Sequence, residues 1–430
     1  MTMGLILLSL FLLFLFLNLP IYLALILSSA VALIGLTQFP PEILIQRMFS
    51  GIDSFTLMAI PFFIFAANLM NRGGLASRIV KLANMLVGHI PGGLAFAVTL
   101  ACMFLGTVSG SSPATVVAIC SIMMPMMIQA GYGQAFTIGL IIAASSVAVI
   151  IPPSIGMIIY GAVTGTSVGE LFAAGFLPGI IYGFLFMAYS YYYAKKKKIP
   201  VRPRAGLREI GGALRDASFA LGFPVVVLGG IYGGICTPTE AAGIGCVYSI
   251  VVGLFVYREM SLKDLPGVAF ESSLSTAQQL IILAGASVFA WMMTRFQVPA
   301  ALAGNIMTYG MSEFTVLMLM NIVMLIAGML IDPASFQMIL APIFLPIAVK
   351  FGVHPVHLGI IMVVNGAIGM FTPPFGLNLF VATGITRIPL REIIKPEVVG
   401  PWIILGIGAL LIITYLPAEV ILLLPRLLAR

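Results

Sequence analysis

Apolar residues run along this chain in long, nearly uninterrupted blocks. They cover about 4–36, 54–71, 92–109, 113–130, 135–166 and 171–194. They resume at about 218–235, 239–257, 274–294, 313–331, 334–349, 356–386 and 398–425. A membrane-crossing β-strand would alternate apolar and polar positions, and these blocks do not. A helix needs about 20 apolar residues to cross a bilayer. Some blocks are shorter than that, and others are long but broken by proline. The pattern predicts an all-α polytopic membrane protein. Residues 4–36 fit one long tilted helix or two short ones bent at Pro20. The block from Gly4 to Gly35 is too long for the apolar core of a cleavable signal. In residues 75–88, Arg78 and Lys81 interrupt an apolar face at helical spacing, which predicts a helix lying along the membrane surface.

Composition narrows the class further. Of 430 residues 61% are hydrophobic and 8% are charged, against about a quarter charged in a soluble domain. That balance excludes a soluble globular fold, a secreted disulfide scaffold, a nucleic-acid module and a disordered chain. The net charge of +7 is concentrated. Lys195, Lys196, Lys197, Lys198, Arg202, Arg204, Arg208 and Arg215 face only Glu209 and Asp216. Lys and Arg between apolar segments stay on the cytoplasmic side, so residues 195–217 are expected to form a basic cytoplasmic loop. Cys102, Cys120, Cys236 and Cys246 lie inside apolar runs without paired spacing, and read as packing residues.

The loop divides two halves that repeat one another. Laying the second half over the first with Pro346 on Pro125 also places Gly352 on Gly131, Pro373-Pro374 on Pro152-Pro153 and Gly400 on Gly179. A slightly different offset places Pro238 on Pro20. The expected organisation is a first repeat over 1–194, the loop over 195–217 and a second repeat over 218–430. Weak internal repeats of this kind mark secondary transporters. Inversion of one repeat relative to the other is expected, and requires an odd number of spans between them.

The candidate chemistry lies at matched places in the repeats. Two successive prolines stop a helix. In lipid the freed carbonyls cost about several kcal/mol each unless protein, water or an ion satisfies them. Pro152-Pro153-Ser154 and Thr372-Pro373-Pro374 therefore predict broken helices, with free carbonyls on one side and free N–H groups on the other. Carbonyls suit Na⁺ and helix N-termini suit carboxylates. A plain structural kink is the competing explanation. The tip Ser109-Gly110-Ser111-Ser112 offers hydroxyl and backbone oxygens for a hard cation, or a small-residue helix contact. Asp332, the one acid between Glu313 and Glu392, stands at the repeat position of that tip, with Ser335 three residues on. It reads as a cation ligand, as a cap of the following helix, or as both. Asn365, Gly366 and Gly369 before the second break, and Ser145 and Ser146 before the first, fit backbone approach to an ion and helix packing equally.

Other polar residues read as structural. Glu240 in Thr237-Pro238-Thr239-Glu240 suits a first-turn helix acid better than a buried functional one, and Arg295 an interface anchor better than a contact to an anionic substrate. His354 and His357 flank Pro355 and read as loop residues. There is no Gly-Lys pair anywhere, hence no phosphate-binding P-loop. There is also no H-E-x-x-H, and no serine nucleophile with a plausible histidine partner. The chain is read as no enzyme, driven by an ion gradient or by another subunit.

Ser109–Thr115, the Ile-Pro-Pro-Ser break, Thr237–Ala242 and Thr372–Val381 together resemble the large membrane subunit of tripartite ATP-independent periplasmic (TRAP) transporters, the DctM/SiaM type. The likeness covers nearly the whole chain, with Phe375 in place of a smaller residue. It implies a bacterial inner-membrane Na⁺ symporter that takes organic acids, of the C4-dicarboxylate or sialic acid class, from a periplasmic substrate-binding protein. It also implies a separate small membrane subunit and no nucleic acid. The implied fold is similar to the divalent-anion/sodium symporters, with re-entrant hairpins at 92–130 and 313–349, broken helices at 135–166 and 356–386, and elevator-type movement. On that pattern Na⁺ would be held by Ser109, Gly110, Ser111, Ser112, Asp332, Asn365, Gly366, Gly369 and Thr372. The organic anion would meet Pro152, Pro153, Ser154, Ser335, Pro373, Pro374 and Asn378. A passive organic-anion channel is the alternative.

Overall fold

A computed structural model describes residues 2–201, 203–308 and 310–428. The described residues are helical, with no strand among them. The first half holds α1 (Thr2–Phe16), α2 (Ile21–Leu36), α3 (Glu42–Ile52), α4 (Ala59–Arg72), α5 (Leu75–Val87), α6 (Gly93–Ser109), α7 (Ser112–Gln129), α8 (Gln134–Ser145), α9 (Ile155–Thr164) and α10 (Val168–Lys197). The second holds α11 (Leu207–Tyr232), α12 (Pro238–Val251), α13 (Leu265–Arg295), α14 (Val298–Thr308), α15 (Glu313–Leu330), α16 (Pro333–Lys350), α17 (Pro355–Gly369) and α18 (Leu377–Thr386). It ends with α19 (Leu390–Ile393), α20 (Pro396–Tyr415), α21 (Ala418–Ile421) and α22 (Leu423–Leu428). Among the described residues, nine helical stretches are long and apolar enough to cross a membrane, as a multi-pass membrane protein requires.

Local chemistry explains the boundaries. The N-terminal block is two helices, because the chain turns at Leu17–Pro20 with Asn18 in the left-handed region (φ 63°). Thr237 and Glu240 form a reciprocal capping box at the start of α12, with Pro238 in its first turn. Glu240 is thus the structural acid its motif suggests. His354 caps α17, and Pro355 begins it. His357 is therefore no loop residue: it is buried in α17 and bonds the Ile413 carbonyl at 2.9 Å. The basic stretch is likewise not one loop. α10 continues to Lys197 and α11 begins at Leu207, so Arg208 and Arg215 are helical, and the connection spans only 198–206. Arg202 lies outside the described residues. Lysines suit the C-terminal end of α10, where the helix dipole is negative.

On α5 the buried face carries Ile79, Val80, Leu82 and Ala83, while Arg78 pairs with Glu259 at 2.6 Å and Lys81 with Asp216 at 3.3 Å. Arg295 lies over the Phe39 ring at 5.4 Å. All four cysteines are free. Cys246 bonds the Phe62 carbonyl and Cys102 contacts Ser145. Outside the α12 span, the Ser261 N–H and hydroxyl hold the Asp264 carboxyl below its ordinary range.

Elements follow one order in the two halves. α7 and α16 are both 18 residues long and start at matched positions, Ser112 and Pro333. Each half also contains a helix broken at Pro-Pro. In the first, α8 tightens into a 3-10 turn at Ser146–Val149, and the chain restarts as α9 after Ser154. In the second, α17 stops at Gly369 and α18 starts at Leu377. Both Pro-Pro bonds are cis. The halves interlock: α7 packs on α18, α16 on α9, α8 on α20 and α17 on α10. Every residue of α8 from Phe136 and of α17 from Val356 is buried. The helices that lead into the breaks are therefore wrapped in protein, and so is the first break itself, at Pro152 and Pro153, as freed backbone groups require.

Candidate functional site

The turns α6–α7 and α15–α16 meet the two helix breaks around one cavity of about 460 Å³. Gly110 makes the first approach possible. It adopts φ 54°, and a Cβ there would lie 2.9 Å from the Pro153 carbonyl oxygen. Within this tip, the Ser109 hydroxyl contacts Thr115 Oγ1 at 3.3 Å and receives the Ser111 N–H at 3.3 Å. Thr115 donates to the Ser111 carbonyl at 2.9 Å. The Ser109 and Thr115 hydroxyls are thus used inside the turn. Ser112 reaches further. Its hydroxyl and the Asn378 amide bond each other at 2.7–3.1 Å, and Asn378 also donates to the Ile142 carbonyl at 3.0 Å. The first tip is tied to the second break across 266 positions.

The second tip is built differently. Asp332 caps α16, accepting from the Ser335 N–H at 3.1 Å and from the Ser335 hydroxyl. The cap is one of the two roles read for Asp332, and the residue also lies at the cavity wall. Behind it α15 crosses α17 at glycines: a Cβ on Gly369 would run into the Gly328 backbone, and one on Gly366 would meet Phe336 and Pro333. Phe375 N–H donates to Met329 O at 3.2 Å, pinning this tip to its own break. Asn365 donates to Asn321 at 2.8 Å and to the Ile361 carbonyl at 2.9 Å, and Asn321 donates to Thr414 at 2.9 Å. The Asn365 Oδ1 is buried with no hydrogen-bond partner.

The breaks satisfy part of their own backbone. Ser154 Oγ donates to Val149 O at 2.6 Å, Thr372 Oγ1 to Ile368 O at 2.6 Å, and Asn378 N–H to Met370 O at 2.9 Å. Pro152 and Pro153 are buried, Pro373 is half-buried and Pro374 is exposed.

The sixteen residues singled out from sequence thus divide. Gly110, Ser111, Ser112 and Asp332 line the cavity. Ser109, Ser154, Ser335, Asn365, Gly366, Gly369, Thr372 and Asn378 form the buried layer behind it. The prolines shape the breaks without lining the cavity. Sequence reasoning missed Gln337, Gln278, Gln279, Gly156 and Tyr22, which also line it. The adjacent amides Gln278-Gln279 within an apolar run were the available signal. Among the lining residues Asp332 is the one charged side chain, and no Lys or Arg reaches the wall. No group of three His, Cys, Asp or Glu fit to hold a metal occurs among the described residues. Any cation here would meet the Asp332 carboxylate together with amide, hydroxyl and backbone oxygens.

Residues 8–419 match the family described as tripartite ATP-independent periplasmic transporter, DctM component. The chain belongs to this family. It is therefore a TRAP transporter large permease, a class of transport subunit. The C4-dicarboxylate TRAP transporter large permease protein DctM of Pseudomonas aeruginosa is 45% identical over 91% of both chains. The isethionate TRAP transporter permease protein DctMQ of Oleidesulfovibrio alaskensis is 42% identical over 95% of this chain, which spans 64% of that protein's length. The YdaH transporter of Alcanivorax borkumensis shares the fold of this TRAP permease, with a TM-score of 0.61 at 14% identity and 87% coverage of both chains.

Proposed function

We propose that this permease imports a small organic acid of the C4-dicarboxylate class, driven by Na⁺, across the bacterial inner membrane. A periplasmic binding protein delivers the substrate, and a separate small membrane subunit completes the complex. The sialic acid class is the second substrate group that the family resemblance suggests. The basic connection near 198–206 faces the cytoplasm. The two halves act as inverted repeats, and the tip–break units move together as an elevator past α13 and its neighbours.

One observation carries this reading. The cavity touches both tips and both second half-helices, yet contains one carboxylate and no base. An anion placed there alone would be repelled by Asp332 and attracted only by helix N-termini. A Na⁺ bound at the tips would reverse that balance, so the two cargoes favour each other's binding. Asn365 Oδ1, buried without a donor, supports an oxygen site for such an ion. The identity to a C4-dicarboxylate permease supports the substrate class.

The test is uptake into proteoliposomes containing the permease with its partner subunits, measured against Na⁺ concentration. Asp332→Asn and Ser111→Ala should both weaken Na⁺ dependence. Unchanged dependence in both would remove the site assignment. Flux that never accumulates substrate uphill would make the protein a passive channel.

A further inference from the structure

The cavity wall contains a feature that transport of a plain dianion does not require. Gln337, on α16, is 1% exposed, and its Oε1 is buried without a hydrogen-bond partner. Gln279, on α13, also has a buried, unpartnered Oε1. Both residues line the same cavity, and α13 packs on α16. Gln337 lies over the first turn of α9, where a Cβ on Gly156 would be 3.2 Å from its Nε2. Glycine there leaves the amide room. α9 is ten residues long, and its first intrahelical bond is Ile158 N–H to Ser154 O, so the N–H groups before it have no partner in the helix.

These groups specify a ligand chemistry. The α9 N-terminus attracts a carboxylate. The two amide oxygens lack donors, and a buried acceptor left unpaired is costly. The neighbouring charge, Asp332, is another acceptor. A substrate bearing a hydroxyl or N–H beside its carboxylate would satisfy the amide oxygens, whereas an unsubstituted dicarboxylate would leave them unpaired. We propose that Gln337 and Gln279 are specificity-determining residues that select organic acids bearing a hydrogen-bond donor, of the hydroxy-acid type, over the corresponding unsubstituted acids. This deepens the organic-acid reading above and rests on it.

Malate and succinate differ by one hydroxyl and serve as probes. Ligand-observed saturation-transfer NMR titrations on the full chain in nanodiscs, in NaCl, give an apparent Kd for each. Malate should bind about tenfold more tightly than succinate, the range expected when a site built for a donor is denied one. Gln337→Leu or Gln279→Leu, on two different helices and checked for monodispersity, should bring the ratio to about threefold or less in at least one variant. Equal affinities in the unmodified protein, absence of malate binding, or an unchanged ratio in both variants overturns the proposal. Replacing NaCl by choline chloride separates the two readings. If both affinities persist unchanged, Na⁺ coupling fails, and the malate-to-succinate ratio still decides the role of the amides.

Discussion

Ser111 and Asp332 stand at the same place in the two halves, each at the N-cap of an 18-residue helix. Around them the backbone plan is shared and the side chains are not. In the register that lays Pro346 on Pro125, Leu100, Val116, Ala144, Ile151 and Met157 of the first half correspond to Asn321, Gln337, Asn365, Thr372 and Asn378 of the second. The first tip uses the Ser109 and Thr115 hydroxyls within its own turn and the Ser112 hydroxyl to hold Asn378. The second is a carboxylate backed by a chain of buried amides. The first break buries both prolines, whereas Pro374 and Phe375 of the second are exposed. The two halves thus enclose one cavity, while most of its side-chain chemistry comes from the second. The first half contributes mainly backbone, a glycine turn at Gly110 and the free N-terminus of α9, with the hydroxyls of Ser111 and Ser112 beside them.

Giving the second half the residues of the first is the strongest way to break this comparison. Asn365→Ala installs the residue found at 144. It removes the buried amide that bridges to Asn321. A lost interaction of about 1–3 kcal/mol corresponds to about 5- to 150-fold in an equilibrium. Na⁺-driven uptake should fall within that range, with the thermal melt checked in parallel. Uptake within twofold of the unmodified protein would show that the amide serves packing alone. Asn378→Met installs the residue found at 157 and strips the Ser112 hydroxyl and the Ile142 carbonyl of their partner. Thermal or denaturant unfolding should show a loss of about 1–3 kcal/mol. Ser112→Ala should cost less, about 0.5–1.5 kcal/mol, because Asn378 keeps Ile142. A double-mutant cycle should show coupling between the two sites.

Which of these features are legible in the sequence follows from their physics. Pro-Pro breaks and glycine turns announce themselves, since proline ends a helix and glycine takes up left-handed backbone at little cost. Their recurrence in one common register locates the tips. Asp332 stands out because a charge is costly there. Gln337 and Asn321 do not stand out: one amide in an apolar helix does not reveal which face it occupies. The Ser112–Asn378 tie joins positions 266 apart and exists only once the halves interlock. His357 reads as a loop residue because Pro355 stands two positions before it, yet proline opens α17. The basic block reads as one continuous loop because charge pattern alone does not end α10 or start α11.

The glycine crossing offers a sharper and smaller test. Gly369 abuts the Gly328 backbone, whereas the matched position in the first half is already alanine, Ala148, packed against Gly106. Gly369→Ala should destabilise the protein by about 1–3 kcal/mol through overpacking. Ala148→Gly should cost about 0.5–1 kcal/mol, from backbone entropy. Similar losses in both would mean that the two crossings are equally tight.

The smallest effects lie at the two N-caps and isolate capping from ion binding. The Asp332 carboxylate accepts the Ser335 N–H, whereas Ser111 makes no side-chain cap bond. Asp332→Ala should therefore lower stability by about 0.5–2 kcal/mol, the ordinary value of a lost cap. Ser111→Ala should stay within about 0.5 kcal/mol, as for a residue without such a role. Asp332→Asn is the decisive third variant, since asparagine caps about as well as aspartate but carries no charge. If it restores stability while Na⁺ dependence of uptake remains weakened, the carboxylate serves the ion as well as the helix. If it restores both, Asp332 is a cap only, and the two tips differ less in function than in appearance.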